Sequence, residues 1–101
     1  MNNKVAKKKP KIDKPKFLGR YVVTDPKICH GKPTFRGTRI LVSHVLEQVA
    51  EGTAWETIIQ EWRGSITNDA IAEAVRLASQ AFLEHSEEYT ASEYDLKRVT
   101  A

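Results

Sequence analysis

The chain has 101 residues, of which 41% are hydrophobic and 29% are charged, and this composition predicts one small globular domain. Its longest aliphatic run is Ile40-Leu41-Val42, so we expect no transmembrane span. No apolar segment follows the basic N-terminus, which argues against a secretory signal, and the single cysteine, Cys29, cannot form an internal disulfide. These features predict a cytoplasmic protein.

The formal net charge of +3 is unevenly distributed along the chain. Residues 1–16 carry seven lysines and one aspartate, and residues 20–44 carry a net charge of +4. Residues 45–95, in contrast, carry a net charge of −9. If the protein binds a polyanion, this distribution favours contact through the N-terminal half of the chain.

The two ends of the chain differ in composition from its middle. Residues 1–16 are rich in lysine and contain little apolar surface, so we interpret them as a flexible basic arm. The arm is either a solubilising tail or an electrostatic tether for nucleic acid, with Lys7, Lys8 and Lys9 as candidate contacts. Residues 17–85 are predicted to form the domain. Residues 86–101 form a polar tail, and the sequence leaves open whether it is disordered or folds on a partner.

Short extended segments begin the predicted domain. Tyr21-Val22-Val23 favours a strand, which stops before Pro26. The stretch Thr34–Val42 predicts a β-hairpin, with Gly37 at the first central position of a type II′ turn and therefore at positive φ. A two-stranded hairpin is only marginally stable alone, so it must pack on the helices or pair with a second subunit, and we expect a homodimer.

After Val42 the apolar residues follow the period of a helix. Ser43 is predicted to cap a first helix that ends at Gly52. Thr53 and Glu56 then form a T-x-x-E capping box for a second helix. Its apolar stripe consists of Trp55, Ile58, Ile59 and Trp62.

A third and longer helix completes a mainly α fold. Thr67 is predicted to cap it, and its apolar face comprises Ile71, Ala74, Val75, Ala78, Ala81 and Phe82. Three apolar stripes predict a three-helix bundle with an N-terminal β-hairpin, in which both tryptophans are structural.

The second and third helices make a helix-turn-helix candidate, in which the third helix would enter the major groove of DNA. Its exposed N-terminal positions are predicted to be Asn68, Asp69, Ala72, Glu73 and Arg76. Asn68 and Arg76 suit base reading, whereas the two acidic side chains repel phosphates. The charge distribution favours instead Lys32, Arg36 and Arg39 of the hairpin region as DNA contacts.

The pair Cys29-His30 raises the question of a metal or a catalytic thiol. A zinc site needs three or four ligands, and His44 and His85 lie in other predicted elements without metal-ligand spacing. No third group that would orient a Cys-His pair can be identified. We therefore expect no metal, no cofactor and no enzymatic activity.

One stretch resembles the signature of the domain-of-unknown-function 433 family, "DP-x-I-x-x-G-x-P-x-x-R/K-GTR". Here it reads from Asp25-Pro26 through Gly31 and Pro33 to Gly37-Thr38-Arg39. Later elements of the family, "G-x-S/T-x-E-x-I" and "T-x-x-x-I-x-x-A", resemble residues 52–58 and 67–74. The resemblance covers residues 21–83.

The resemblance implies a homeodomain-like helix-turn-helix fold. Most members of the family have no assigned function, but some resemble VapB-type antitoxins, which neutralise a PIN-type or PIN-like ribonuclease toxin and bind operator DNA, and the resemblance extends this expectation to the present chain. Independently of the family, Arg39 is a candidate to pair with Asp25 or with a helix C-terminus and so to lock the hairpin to the bundle.

Three hypotheses follow. The first is a non-enzymatic, dimeric, antitoxin-like regulator that holds DNA with its arm and hairpin and a toxin with its acidic body or tail. The second is a protein-interaction module that does not bind DNA. The third is an enzyme or metal protein that uses Cys29 and His30.

Overall fold

The computed structural model describes residues 14–90, which form a small sheet followed by three helices. The strands are β1 (Lys16–Phe17), β2 (Val22–Thr24) and β3 (Thr34–Phe35), and they pair antiparallel in the order β1-β2-β3. The helices are α1 (Val42–Ala50), α2 (Trp55–Glu61) and α3 (Asn68–Glu84). The predicted fold class, mainly α with three helices and an N-terminal β-hairpin, is confirmed.

The hairpin differs in detail from the prediction. β3 pairs with β2, and the chain that returns from β3 makes only an isolated bridge between Leu41 and Thr34. The Thr38 N–H donates to the Phe35 carbonyl oxygen at 2.9 Å, which makes Arg36 and Gly37 the central residues of the turn. Gly37 has the expected positive φ, 78°, but it stands at the second central position and not at the first.

α1 begins one residue before the predicted cap. Its N-cap is Leu41, without a side-chain cap, because the first helical N–H, that of Val42, donates to the Pro33 carbonyl oxygen at 3.0 Å. The prediction of Ser43 as the cap is therefore wrong. The predicted end at Gly52 is confirmed, since the N–H groups of Gly52 and Thr53 close the helix on Val49 and Gln48.

The predicted capping box of α2 does not form. The N-cap is Ala54, and no side chain caps this helix end. The Thr53 N–H is used to close α1, which makes Thr53 part of the α1 terminus and moves the start of α2 to Trp55. For α3 the prediction is confirmed, because the Thr67 hydroxyl accepts the Ala70 N–H at 3.2 Å.

The core lies between β2, β3 and the three helices. Ile58, Ile71 and Val45 are fully buried, and both tryptophans pack against the core as predicted. The Trp62 indole N–H also donates to Gln48 at 2.9 Å, which ties α2 to α1. The buried cluster comprises Val22, Phe35, Val42, Val45, Ile58, Ile66, Ala70, Ile71 and Ala74.

The apolar face of α3 is only half covered. Ile71 and Ala74 are buried, but Ala78 is exposed and Phe82 is 61% exposed, which contradicts the prediction that the whole stripe lies in the core. At 1.5 Å per residue, the 17 residues of α3 span about 25 Å and the 9 residues of α1 only about 14 Å, so the C-terminal part of α3 extends past its neighbour. Phe82 instead contacts Tyr89, with 5.7 Å between ring centroids.

The predicted terminal segments lie mostly beyond the described residues. Lys7, Lys8 and Lys9 of the arm and residues 91–101 of the tail fall outside 14–90. Lys16, the last residue of the predicted arm, belongs to β1, and Ser86–Tyr89 form a 3₁₀ turn after α3. Within the described range, no helix is both long enough and apolar enough to span a membrane.

Candidate nucleic-acid interface

Three arginines line two adjoining clefts at the end of the domain where the hairpin turn meets the α2–α3 connection. Arg39 and Arg63 line one cleft of about 530 Å³, and Arg36 lines a neighbouring cleft that shares Ser65 with it. We call Arg36, Arg39 and Arg63 the arginine end. All three side chains are exposed. Exposed guanidinium groups suit the binding of phosphates, and the Glu61 side chain also lines the cleft of Arg39 and Arg63.

The hairpin turn that presents Arg36 and Arg39 is held by one hydroxyl group. Thr38 donates its hydroxyl hydrogen to the Phe35 carbonyl oxygen at 2.8 Å and accepts the Ile40 N–H at 2.9 Å. Both sides of the turn are therefore tied to one residue. This gives the Gly-Thr-Arg motif a local structural reason, in which glycine supplies the positive φ and threonine fixes the turn.

Sequence reasoning missed Arg63. Arg63 follows the last residues of α2 with a left-handed backbone, φ 56°, and its N–H closes the helix on the Gln60 carbonyl oxygen. This helix end turns the chain back toward the hairpin, where Arg63 joins Arg39. Arg63 lies 24 residues after Arg39 in the chain, and no local sequence pattern predicts that the two line the same cleft.

The proposed pairing of Arg39 with Asp25 does not occur. The Asp25 carboxylate accepts the Lys27 N–H at 2.9 Å, and the Asp25 carbonyl oxygen accepts the Ile28 N–H, so this side chain shapes the turn at Pro26. Arg39 lies instead beside the C-terminus of α2, in the cleft that Glu61 and Trp62 also line. The alternative prediction, a helix C-terminus as the neighbour of Arg39, agrees with this position.

The N-terminal half of α3 is not the open face that the helix-turn-helix prediction required. The Glu73 carboxylate accepts three backbone N–H groups, from Arg20 at 2.7 Å, Tyr21 at 2.6 Å and Val22 at 3.1 Å. Ala72 and Glu73 are half-buried, so their prediction as exposed positions is wrong. The chain leading into β2 covers this part of α3, because three donors aligned on one carboxylate bind it strongly.

The other predicted DNA contacts are dispersed. Asn68 is exposed at the start of α3, next to Thr67, which lines the cleft of Arg36. Arg76 is exposed but lies eight residues farther along α3, about 12 Å at the helical rise, and it lines neither arginine cleft. Lys32 is exposed in the loop before β3 and likewise lines neither. Of the predicted contacts, the structure therefore places Arg36 and Arg39 in adjoining clefts, and Asn68 follows a residue that lines the cleft of Arg36.

Cys29 has a structural role. Its thiol donates to the Arg39 carbonyl oxygen at 3.6 Å, which ties the loop before β3 to the hairpin. Over residues 14–90, no group of three or more His, Cys, Asp or Glu side chains is arranged to hold a metal ion.

A second surface of different chemistry lies between the sheet, α1 and α3. It is an apolar groove of about 220 Å³, lined by Leu18, Val22, Pro33, Val42, Leu46, Ala74, Leu77, Ala78 and Ala81. The helical part of the described chain around it, residues 42–90, carries nine acidic side chains and two arginines. The domain therefore has a basic end at the hairpin and an acidic, partly apolar helical body.

A family model with the description "Protein of unknown function (DUF433)" matches residues 22–78, from β2 into α3. This is more than half of the chain, and the chain belongs to that family. A search of curated proteins and a search of solved structures each found no match.

Proposed function

We propose that this protein is an antitoxin-like, non-enzymatic regulator that binds DNA through its arginine end and a PIN-type ribonuclease toxin through its helical body. The observation that carries the DNA part is that Arg39 and Arg63 line one exposed cleft and Arg36 lines the adjoining one. Guanidinium groups bind phosphates in bidentate geometry, and phosphate contacts supply much of the affinity of DNA-binding proteins.

The docking mode that we propose differs from that of a recognition helix. The hydrogen bonds from residues 20–22 to the Glu73 carboxylate hold the chain before β2 against α3. Asp69 and Glu73 also bring negative charge to the N-terminal half of α3. A duplex that approached this face would meet both covering backbone and acidic side chains. The hairpin turn, in contrast, is exposed and basic, and it therefore contacts the DNA in our proposal.

The acidic body favours a basic protein partner. A ribonuclease must attract a polyanion, so the surface near its active site carries positive charge. The acidic side chains of residues 42–90 complement such a surface, and the apolar groove beside them suits the apolar side of a basic segment. We therefore assign the groove to a basic, amphipathic segment of the toxin.

We also propose a homodimer joined through the sheet. β1 is an edge strand of the described sheet, and its Phe17 is 58% exposed. Pairing of β1 with the same strand of a second copy would cover this apolar side chain and present two arginine ends, as a palindromic operator requires. A monomer in sedimentation experiments at micromolar concentration would contradict the dimer.

The DNA part is tested with the duplex that lies upstream of the gene. Fluorescence anisotropy between about 50 and 200 mM salt gives the slope of affinity against salt, which is about 0.9 per phosphate contact. The triple variant Arg36→Gln/Arg39→Gln/Arg63→Gln should lower this slope by about 2.7. Arg76→Gln is the matched control and should leave the slope unchanged. If the wild-type protein causes no change in the anisotropy of the duplex at low salt, DNA binding is refuted.

The toxin part is tested by co-expression with the neighbouring reading frame. A toxic product that is neutralised and co-purifies with this protein supports the proposal. Ala78→Arg places a positive charge in the groove and should abolish co-purification, whereas Ser79→Arg, on the exposed neighbouring position of α3, should not. If the partner binds and DNA does not, the protein is the interaction module of the second hypothesis. The acidic body and the apolar groove favour that hypothesis as much as they favour the toxin part of the first.

A further inference from the structure

A second basic cleft lies at the opposite end of β2 from the arginine end. It has a volume of about 480 Å³ and is lined by Lys14, Lys16, Thr24, Pro26, His30 and Gly31. We call it the lysine cleft. One wall comes from β1 and the residues before it, where Lys16 pairs with Thr24 across the sheet. This pairing brings a side-chain ammonium group and a hydroxyl group to the same cleft.

The other wall is a loop with an uncommon backbone. Cys29, His30 and Gly31 follow one another with φ values of 51°, 58° and 80°, so two residues with side chains adopt the left-handed conformation. Each such residue costs roughly 1–2 kcal/mol relative to an ordinary conformation. The Cys29 thiol holds the loop to the hairpin through Arg39, and His30 faces the two lysines across the cleft. Strain of this kind is concentrated at functional sites.

Among the described residues, no acidic side chain lines this cleft, and the nearby Asp25 carboxylate is bonded to the Lys27 N–H. Over residues 14–90 no lysine or arginine forms an ion pair with a carboxylate, and the one histidine–carboxylate contact joins His85 and Glu88 after α3. The Lys14 and Lys16 ammonium groups on one wall carry positive charge, which a bound anion would balance.

We propose that the lysine cleft binds the phosphodiester backbone of nucleic acid and is the second contact point of the DNA that the arginine end holds. This inference rests on the proposed DNA binding. The Arg36 N–H donates to the Tyr21 carbonyl oxygen, which fixes the arginine end beside Tyr21, whereas the lysine cleft lies beside Thr24. Three residues of strand separate these positions by about 10 Å.

The spacing and the sequence favour a long polyanion over a small phosphate. One strand of B-DNA carries a phosphate about every 3.4 Å along the helix axis, so points about 10 Å apart span roughly three phosphates. The cleft also begins at Lys14, directly after residues 1–13, which contain five lysines and one aspartate.

The experiment uses the full chain and the same upstream duplex. We expect Lys14→Gln/Lys16→Gln to lower the salt slope by about 1.8, which corresponds to two phosphate contacts. His30→Asn removes the imidazole but keeps a residue that tolerates positive φ, and it should weaken binding without unfolding the loop. Lys27→Gln is the matched control, since Lys27 is exposed in the adjacent turn and does not line the cleft.

The outcomes separate this inference from the proposed function. If the arginine variants weaken binding and the cleft variants do not, the lysine cleft is not a contact and the inference is wrong, while DNA binding stands. If the wild-type protein fails to bind DNA, both are wrong for nucleic acid. Titration with inorganic phosphate at constant ionic strength, followed by amide chemical shifts, is the second arm. Saturable shifts at Thr24 and His30 without DNA binding would identify a small-anion site and overturn the polyanion assignment.

Discussion

Glu73 should contribute more to stability than any other charged side chain on α3, because its carboxylate accepts three backbone N–H groups from residues 20–22. Hydrogen bonds to a charged acceptor contribute about 1.5–3 kcal/mol each, and the half-exposed position favours the lower value. Glu73→Ala should therefore lower the free energy of unfolding by about 4 kcal/mol. Glu73→Gln keeps one neutral acceptor oxygen and should cost about 2 kcal/mol.

Urea unfolding followed by circular dichroism and tryptophan fluorescence measures this loss. For a domain of this size, a loss of about 2 kcal/mol lowers the midpoint by about 1–2 M urea. Glu47→Gln, at an exposed position of α1, is the control and should change stability by less than about 0.5 kcal/mol. If Glu73→Gln behaves like Glu47→Gln, the carboxylate anchor contributes nothing and our reasoning about α3 fails.

Gly19 provides an independent test of the same contact. A Cβ added at Gly19 would lie 2.5–2.7 Å from the Glu73 carboxyl atoms, so the carboxylate would have to move and release its three donors. Gly19→Ala should therefore destabilise the wild-type protein by about 2 kcal/mol or more. In a Glu73→Ala background the obstacle is gone, and the same substitution should cost little. Additive effects in this double-mutant cycle would show that the two residues do not interact.

Substitutions at four further positions test the backbone and the core. Thr34→Val should stabilise the protein by about 1 kcal/mol in urea unfolding, because the Thr34 hydroxyl is buried without a partner among the described residues. The contrasting substitution Thr38→Val removes two hydrogen bonds and should destabilise the protein in the same assay. Gly37→Ala should cost about 1 kcal/mol for its positive φ alone, since nothing lies within 4 Å of an added Cβ, and Gly37→Asn should cost less. Arg63→Gly should raise the free energy of unfolding by about 0.5–1 kcal/mol, because glycine adopts the left-handed backbone of this position without strain, and it should weaken DNA binding. Arg63→Gln should weaken DNA binding to the same extent without the gain in stability.

The helices were predictable because their signals are local. The stripe that places Ile58 in the core, the Thr67 cap and the helix end at Gly52 each depend on residues within one or two turns of one another. The family assignment is local in the same sense, since the Gly-Thr-Arg turn needs only residues 35–40 to hold its shape. Ser43 failed as a cap because the Pro33 carbonyl oxygen accepts the first N–H of α1, and the Thr53–Glu56 box failed because Thr53 belongs to the end of α1 and α2 starts at Trp55.

The candidate site depends on contacts between distant parts of the chain, which no local pattern encodes. Glu73 accepts the Tyr21 N–H from a residue 52 positions away, and the chain held by this contact covers the part of α3 that would otherwise be open to DNA. Arg63 joins Arg39 only because α2 ends in a left-handed turn. His30 faces Lys16 across the lysine cleft only because the strand register and the strained loop fix both walls.

The sequence by itself determined the three helices, their apolar faces and the separation of a basic N-terminal half from an acidic body. The tertiary structure decided which basic residues meet. Helix formation follows from periodic side chains a few positions apart, whereas burial depends on which elements pack against a helix, and a binding surface follows from loop directions set by single backbone conformations. The net charge of +3 thus becomes a basic hairpin end and a lysine cleft on one side, and an acidic helical body on the other.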